Sequence, residues 1–134
     1  MEKISPLNIP LLRSIQFCIL ETPEQFHIGY WHCGDILPGV VDKCSASACI
    51  AGWALVLGCK VRLSELDNSA IDILAREVLG VGEIEAQRLF LLSHWPFVLR
   101  ERYRYNARTV EDYRVNAQVA AWRIEIFILS DGQI

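Results

Sequence analysis

What most limits how this chain can fold is an uncharged run from Cys44 to Cys59, closed by Lys43 on one side and Lys60 on the other. A membrane span needs about 20 mostly apolar residues. This run is shorter and carries Ser45 and Ser47, so it reads as a helix buried inside a globular core. On a helical wheel Ile50, Trp53 and Leu57 form a bulky face, whereas Ser45, Ala48, Cys49 and Gly52 form a small one. Two faces imply two neighbours, and Gly58 is placed to end the helix. The segment from Cys44 to Leu57 is therefore expected at the centre of the fold.

The rest of the chain supplies helices to surround it. Asn8 can cap a first helix in which Leu11, Leu12, Ile15, Cys18 and Ile19 share a face. Thr22-Pro23-Glu24-Gln25 has a capping residue, then Pro, then Gln three after the cap, the start signal of one short turn ended by Phe26. Ser69 to Leu79, closed by Gly80, and Glu83 to Ser93 read as an antiparallel helix pair. Its core positions would be Ile71, Leu74 and Val78 from one helix and Ala86, Leu89 and Phe90 from the other. Trp95-Pro96 marks a break, and Thr109 caps a last helix reaching Leu129, with Glu111 and Asp112 in its first turn where the macrodipole favours acids. Lys60-Val61-Arg62-Leu63 alternates as a short strand would. With 134 residues of which 52% are hydrophobic, the chain is expected to form one domain over residues 1–134. That domain is all-α, a bundle of five to six helices around the buried one, with at most one tiny strand pair.

Thirteen Lys plus Arg against sixteen Asp plus Glu give a net charge of −3, and such mild acidity exerts no general pull on nucleic acid or anionic lipid. Five cysteines are an odd number, no two have C-x-x-C spacing, and no basic region precedes an unbroken apolar one near Met1. Reduced thiols in the cytoplasm are the expectation. From Gly29 to Lys43 the chain has neither helical nor alternating periodicity but carries Tyr30, Trp31, His32 and Leu37. Ordered loops of this length are usually functional, so Tyr30, Trp31, His32 and Cys44 are the candidate lining of a binding pocket over the start of the central helix.

Three chemistries can be weighed on these residues. A cysteine at the head of a helix, as Cys44 is read, has its thiolate favoured by unpaired N–H groups and the dipole. A histidine downstream would take the proton, and that histidine is His94, with His32 lying upstream in the wrong order. The plainer reading makes Cys44 and Cys49 small buried hydrophobes. A zinc site from His32, Cys33, Cys44 and Cys49 has the right ligand types but the wrong spacing. Cys44 and Cys49 would stand about 140° apart on one helix, so no metal and no other cofactor are expected. Finally, Arg100, Arg102, Arg104 and Arg108 alternate with Tyr103 and Tyr105 as in single-strand binders. Against that stand the nearby carboxylates and a pI near 5.6, far from the ~9 of nucleic-acid modules, so these arginines read as a solvated face.

The run Cys44-Ser45-Ala46-Ser47-Ala48-Cys49-Ile50-Ala51-Gly52-Trp53-Ala54 resembles a family of small uncharacterised bacterial and phage-encoded proteins with the motif Cys-Gly-Thr-x-x-Cys-Ile-Ala-Gly-Trp/His-Ala. Phe26-His27-Ile28-Gly29-Tyr30-Trp31, Leu79-Gly80, Ala86-Gln87-Arg88-Leu89-Phe90, Trp95-Pro96 and Val119-Ala120-Ala121-Trp122-Arg123-Ile124 resemble its other landmarks. Ser45-Ala46 departs from the family's Gly-Thr. The resemblance implies a single domain and carries no activity.

The functional expectation is a non-enzymatic cytoplasmic interaction or regulatory protein, without a membrane or nucleic-acid partner. The alternative is a small thiol-dependent enzyme with Cys44 as nucleophile. In the last helix Tyr113, Ala117, Ala120, Ile124 and Phe127 form a face for packing on the domain. Val115, Val119, Trp122 and Ile126 form a second stripe, read as the interface of a homodimer or with another protein. Burial of both stripes within one chain is the competing possibility.

Overall fold

The computed structural model describes residues 7–28, 32–33 and 47–134, with His32, Cys33 and Ser47 described through their backbone. Among these the fold is all-α. Its helices are α1 (Ile9–Glu21), α2 (Ile50–Gly58), α3 (Asn68–Leu79), α4 (Glu83–Phe90), α5 (Phe97–Arg102) and α6 (Val110–Leu129). Short 3-10 turns at Pro23–Gln25, Leu63–Glu65 and Leu92–His94 link them. One antiparallel ladder joins β1 (His32–Cys33) to β2 (Ser47–Ala48), in the register His32 with Ala48 and Cys33 with Ser47.

Helix α1 lies between α6 and α2, α2 packs in turn on α3, α4 touches both α2 and α6, and α5 rests on α6. Arg13 pairs with Glu125, and the Gln16 carboxamide donates to Ala121 O at 2.8 Å. Partners on α6 recede as α1 advances, so the two helices run in opposite directions. Every residue from Ile50 to Val56 is buried, which makes α2 the innermost helix, as its uncharged composition requires. At its end Gly58 comes so close to its neighbours that a Cβ there would lie 2.8 Å from Val78 Cγ2 and 2.9 Å from Leu11 Cδ2. A side chain there would press on Val78 and Leu11, which would have to shift.

Helix ends are secured by the residues that mark them in the sequence. Asn8 Oδ1 accepts from Leu11 N–H at 3.2 Å. The same side chain reaches across to α3, its Nδ2 donating to Val78 O at 2.9 Å, while Asn8 N–H donates to Leu79 O at 2.9 Å. One residue thereby satisfies orphan donors of α1 and orphan acceptors of α3. Gly80 closes α3 with φ 72°, a left-handed conformation that glycine adopts without a Cβ penalty. Thr109 and Asp112 cap α6 reciprocally, Thr109 Oγ1 accepting from Asp112 N–H at 3.1 Å and Asp112 Oδ2 from Thr109 N–H at 3.2 Å.

Several expectations are corrected. The central helix begins at Ile50, not Cys44: Ser47 and Ala48 are extended because they pair with the distant His32 and Cys33. Cys49, not Cys44, stands at the N-cap. The segment Lys60–Leu63 makes no strand; Lys60 has φ 54° and Leu63 opens a 3-10 turn. Thr22 does not cap the Pro23–Gln25 turn, its hydroxyl donating instead to Cys18 O at 2.9 Å. Helix α3 packs on α2 rather than pairing with α4, which turns Ile71, Ala75 and Leu79 inward and leaves Leu74 on the surface. The second helix of that supposed pair ends at Phe90, three residues early, and Ala86, Leu89 and Phe90 are in the core as expected.

Replacing Asn8 by Ala should lower unfolding free energy by about 1–2 kcal/mol, the usual worth of a lost cap plus an unpaired carbonyl. Asn8→Ser keeps a capping oxygen but cannot reach Val78, so it should fall between the two. Urea unfolding followed by circular dichroism checks the order.

Candidate functional site

Of the residues proposed to line a pocket, Tyr30, Trp31 and Cys44 lie outside the described residues, as does most of the segment from Gly29 to Lys43. The backbone of His32 is held beside Ala48, so the segment is tied to the chain immediately before α2. That neighbourhood is built by a parallel bridge between Phe26 and Ala48, by His27 N–H donating to Ala48 O at 3.1 Å, and by the Trp53 indole donating to Gln25 O at 3.0 Å. Ile28 N–H donates to the Tyr103 hydroxyl at 3.1 Å. Tyr103 is itself buried with its ring edge-on to Trp95, and its burial pushes the phenol pKa up to about 12. Burial likewise lowers the pKa of His27, favouring the neutral imidazole.

The thiol at the start of α2 is that of Cys49. Burial pushes its pKa up to about 11, outweighing the pull of the nearby N–H groups of Gly52, Ala51 and Cys49 itself. A helix N-terminus therefore does not by itself activate a cysteine when the sulfur has no water around it. Cys18 is also raised, by burial and by Glu21, and Cys59 is exposed. His94 sits exposed on the Leu92–His94 turn, its backbone N–H donating to Leu91 O at 2.9 Å. No three His, Cys, Asp or Glu side chains converge on a metal position among the described residues.

The two stripes of α6 differ from a simple inside and outside. Ala117, Ala120, Ile124 and Phe127 are in the core and Tyr113 is half-buried, but Val119 of the second stripe is buried too, and Val115 and Ile126 are half-buried. Trp122 alone of that stripe is exposed, at 46%, with the Arg102 guanidinium stacked over its ring at 5.5 Å. Val98, one turn before Arg102 on α5, is also exposed. The arginine cluster makes no continuous helical stripe, because α5 stops at Arg102. Arg104 is drawn to Asp112 Oδ1 at 2.7 Å, and the N–H of Arg108, the Arg104 guanidinium and the N–H of Thr109 hold the Asp112 carboxyl well below the usual carboxylate range. Arg114 faces Glu111 at 3.3 Å.

A feature the sequence reading missed is a cleft of about 220 Å³ between α3 and α4, lined by Asp72, Arg76, Glu83, Ala86, Gln87, Phe90 and Leu91.

Because the Cys49 thiol is raised in the fold, the unfolded chain releases its proton first as pH climbs above about 8.5, and stability falls. The loss attributable to Cys49 between pH 8 and pH 10 should be roughly 2 kcal/mol. Comparing the pH slope of the urea midpoint in wild type and Cys49→Ala isolates it. In the native state at pH 8, iodoacetamide should label Cys59 and spare Cys49.

No known protein family, characterised protein or solved structure matches this chain.

Proposed function

We propose that this is a non-enzymatic interaction or regulatory protein of the cytoplasm that self-associates around Trp122. The observation that carries the reading is the half-exposed Trp122 with Arg102 stacked on it. Trp and Arg are among the residues in which interface hot spots are richest. A two-fold pair is the commonest arrangement for a self-complementary patch. Protein suits this surface better than nucleic acid, since Arg104 and Arg114 are already neutralised by Asp112 and Glu111. The thiol-enzyme alternative gains no support from α2, whose N-terminal cysteine is buried and protonated at neutral pH. Among the described residues no helix is long and apolar enough to cross a membrane.

Sedimentation velocity tests the reading. Wild type should sediment as a dimer whose population grows with concentration. Trp122→Glu, an exchange at an exposed position that should cost under ~1 kcal/mol of fold stability, should sediment as a folded monomer. A wild type that stays monomeric at high concentration, or a Trp122→Glu chain that still dimerises, would sink it.

A further inference from the structure

Arg13 and Gln16 fix how α1 and α6 lie against each other. Both terminal nitrogens of Arg13 donate to the Glu125 carboxylate, Nη2 standing 3.3 Å from Oε2, and Gln16 Nε2 donates to Ala121 O at 2.8 Å and to Glu125 Oε1 at 3.2 Å. Neighbours on a helix surface are three or four residues apart, so the levels of the outer face can be read from the ion pair, with the two chains running in opposite directions. Four residues before Arg13 is Ile9, and four after Glu125 is Leu129. Four residues after Arg13 is Phe17, and three before Glu125 is Trp122. One turn further along, Leu20 comes level with Gln118. Ile9, Phe17, Leu20, Trp122 and Leu129 are all exposed, Phe17 by 65% and Leu129 by 76%. The α1–α6 face is thus apolar on both sides of one ion pair whose own side chains reach solvent.

We propose that this face pairs with itself in a second copy of the chain, α1 of each protomer lying on α6 of the other about a two-fold axis that runs along the helices. The inference rests on the self-association reading above and specifies its geometry. Charge decides between the possible axes. About an axis along the helices and between them, each level meets its own level and α1 meets α6. Phe17 of one copy then faces Trp122 of the other, Ile9 faces Leu129, and Arg13 faces Glu125. The four charges close a square in which every neighbour is opposite and only the diagonals are alike. An axis across the helices instead lays α1 on α1 and α6 on α6. With that axis at the ion pair, arginine meets arginine and glutamate meets glutamate, and like charges opposed across an interface exclude a pairing. With it one turn away, at Phe17 and Trp122, the ion pair is set against Leu20 and Gln118, where the charges lose water and gain no opposite charge. A second copy is therefore the occupant whose charges match this face as they stand. Arg102, on the α5 side of Trp122, lies at the rim of that interface.

The test exchanges the two charges. Arg13→Glu combined with Glu125→Arg keeps an ion pair within the protomer, so the double variant should fold and dimerise as wild type does. In a mixed dimer with wild type, however, the proposed arrangement sets positive on positive and negative on negative. ¹⁵N-labelled wild type and unlabelled double variant are mixed, equilibrated and counted by native mass spectrometry. Random exchange makes about half of the dimers mixed, whereas the opposed like charges should hold mixed dimers below about one-tenth. An axis across the helices at the ion pair gives the reverse, an excess of mixed dimers. Phe17→Glu, at an exposed position, should sediment as a folded monomer, and it decides the matter if the double variant fails to fold. A monomeric wild type brings down the self-association reading and this arrangement together. A wild-type dimer that mixes at random or preferentially with the double variant, or that Phe17→Glu leaves intact, overturns the arrangement alone.

Discussion

The guanidinium of Arg123 has no exposure at all. A buried charge of this kind survives only if the fold offers it compensation. Here its Nε and Nη2 donate to Arg88 O at 3.1 and 2.9 Å, Nη2 also donates to Ile134 O, and the group lies over the Phe127 ring at 5.7 Å. Arg88 O belongs to the last turn of α4, where the unpaired carbonyls carry the negative end of the helix dipole. Burial and the neighbouring Arg88 lower the Arg123 pKa to about 10, so it stays charged at neutral pH. The adjoining carbonyl, Leu89 O, takes the indole N–H of Trp95 at 3.0 Å. The end of α4 is thus completed by side chains from two other elements, and α4, α6 and the turn at residues 130–134 hold their places together. Gly132 makes that turn possible: its φ is 78°, a Cβ would lie 2.6 Å from Glu85 Oε2, and its carbonyl accepts from Arg88 at 2.9 Å.

Much of this architecture was legible in the residues that end helices. The capping bonds of Asn8 to Leu11, of Gly80 and of Thr109 act locally, within one turn of chain, and each sits where its chemistry says it should. The start of α2 was not legible, because Ser47 and Ala48 are withdrawn from the helix by strand partners fourteen or more residues away and helical periodicity contains no record of them. The same holds for Leu74. Its wheel position suits a helix packed on α4, whereas α3 packs on α2, and the choice between partners is made by the assembled core. As for the candidate site, Trp122 was visible as the middle of an apolar stripe, but the burial of Val119 depends on where α5 settles.

Polar residues inside α6 explain why its wheel was ambiguous. Asn116 is buried, and its carboxamide accepts from Arg104 N–H at 2.7 Å and donates to Arg104 O at 2.9 Å. It serves the extended chain after α5 as a neighbouring strand would, meeting both its donor and its acceptor. Together with Arg123, whose Nε and Nη2 are bonded to backbone carbonyls while its Nη1 has no hydrogen-bond partner, it lets a helix that carries polar residues lie deep in the domain. An apolar stripe is thus only one of the ways a helix can earn an interior position.

The contact between α1 and α6 also has a temporal side. Gln16 and Ala121 are 105 residues apart in sequence, and at ~5–20 residues per second of synthesis about 5–20 s separate the emergence of the two. Throughout that interval the nascent chain has made α1 and α2 but not the helix that covers the outer side of α1. The early part of the molecule must wait on the ribosome with that side open, and the domain closes only when its last helix arrives. Contacts of such long range slow folding. Here they also make the completion of the fold wait for α6, the last of its helices in sequence order.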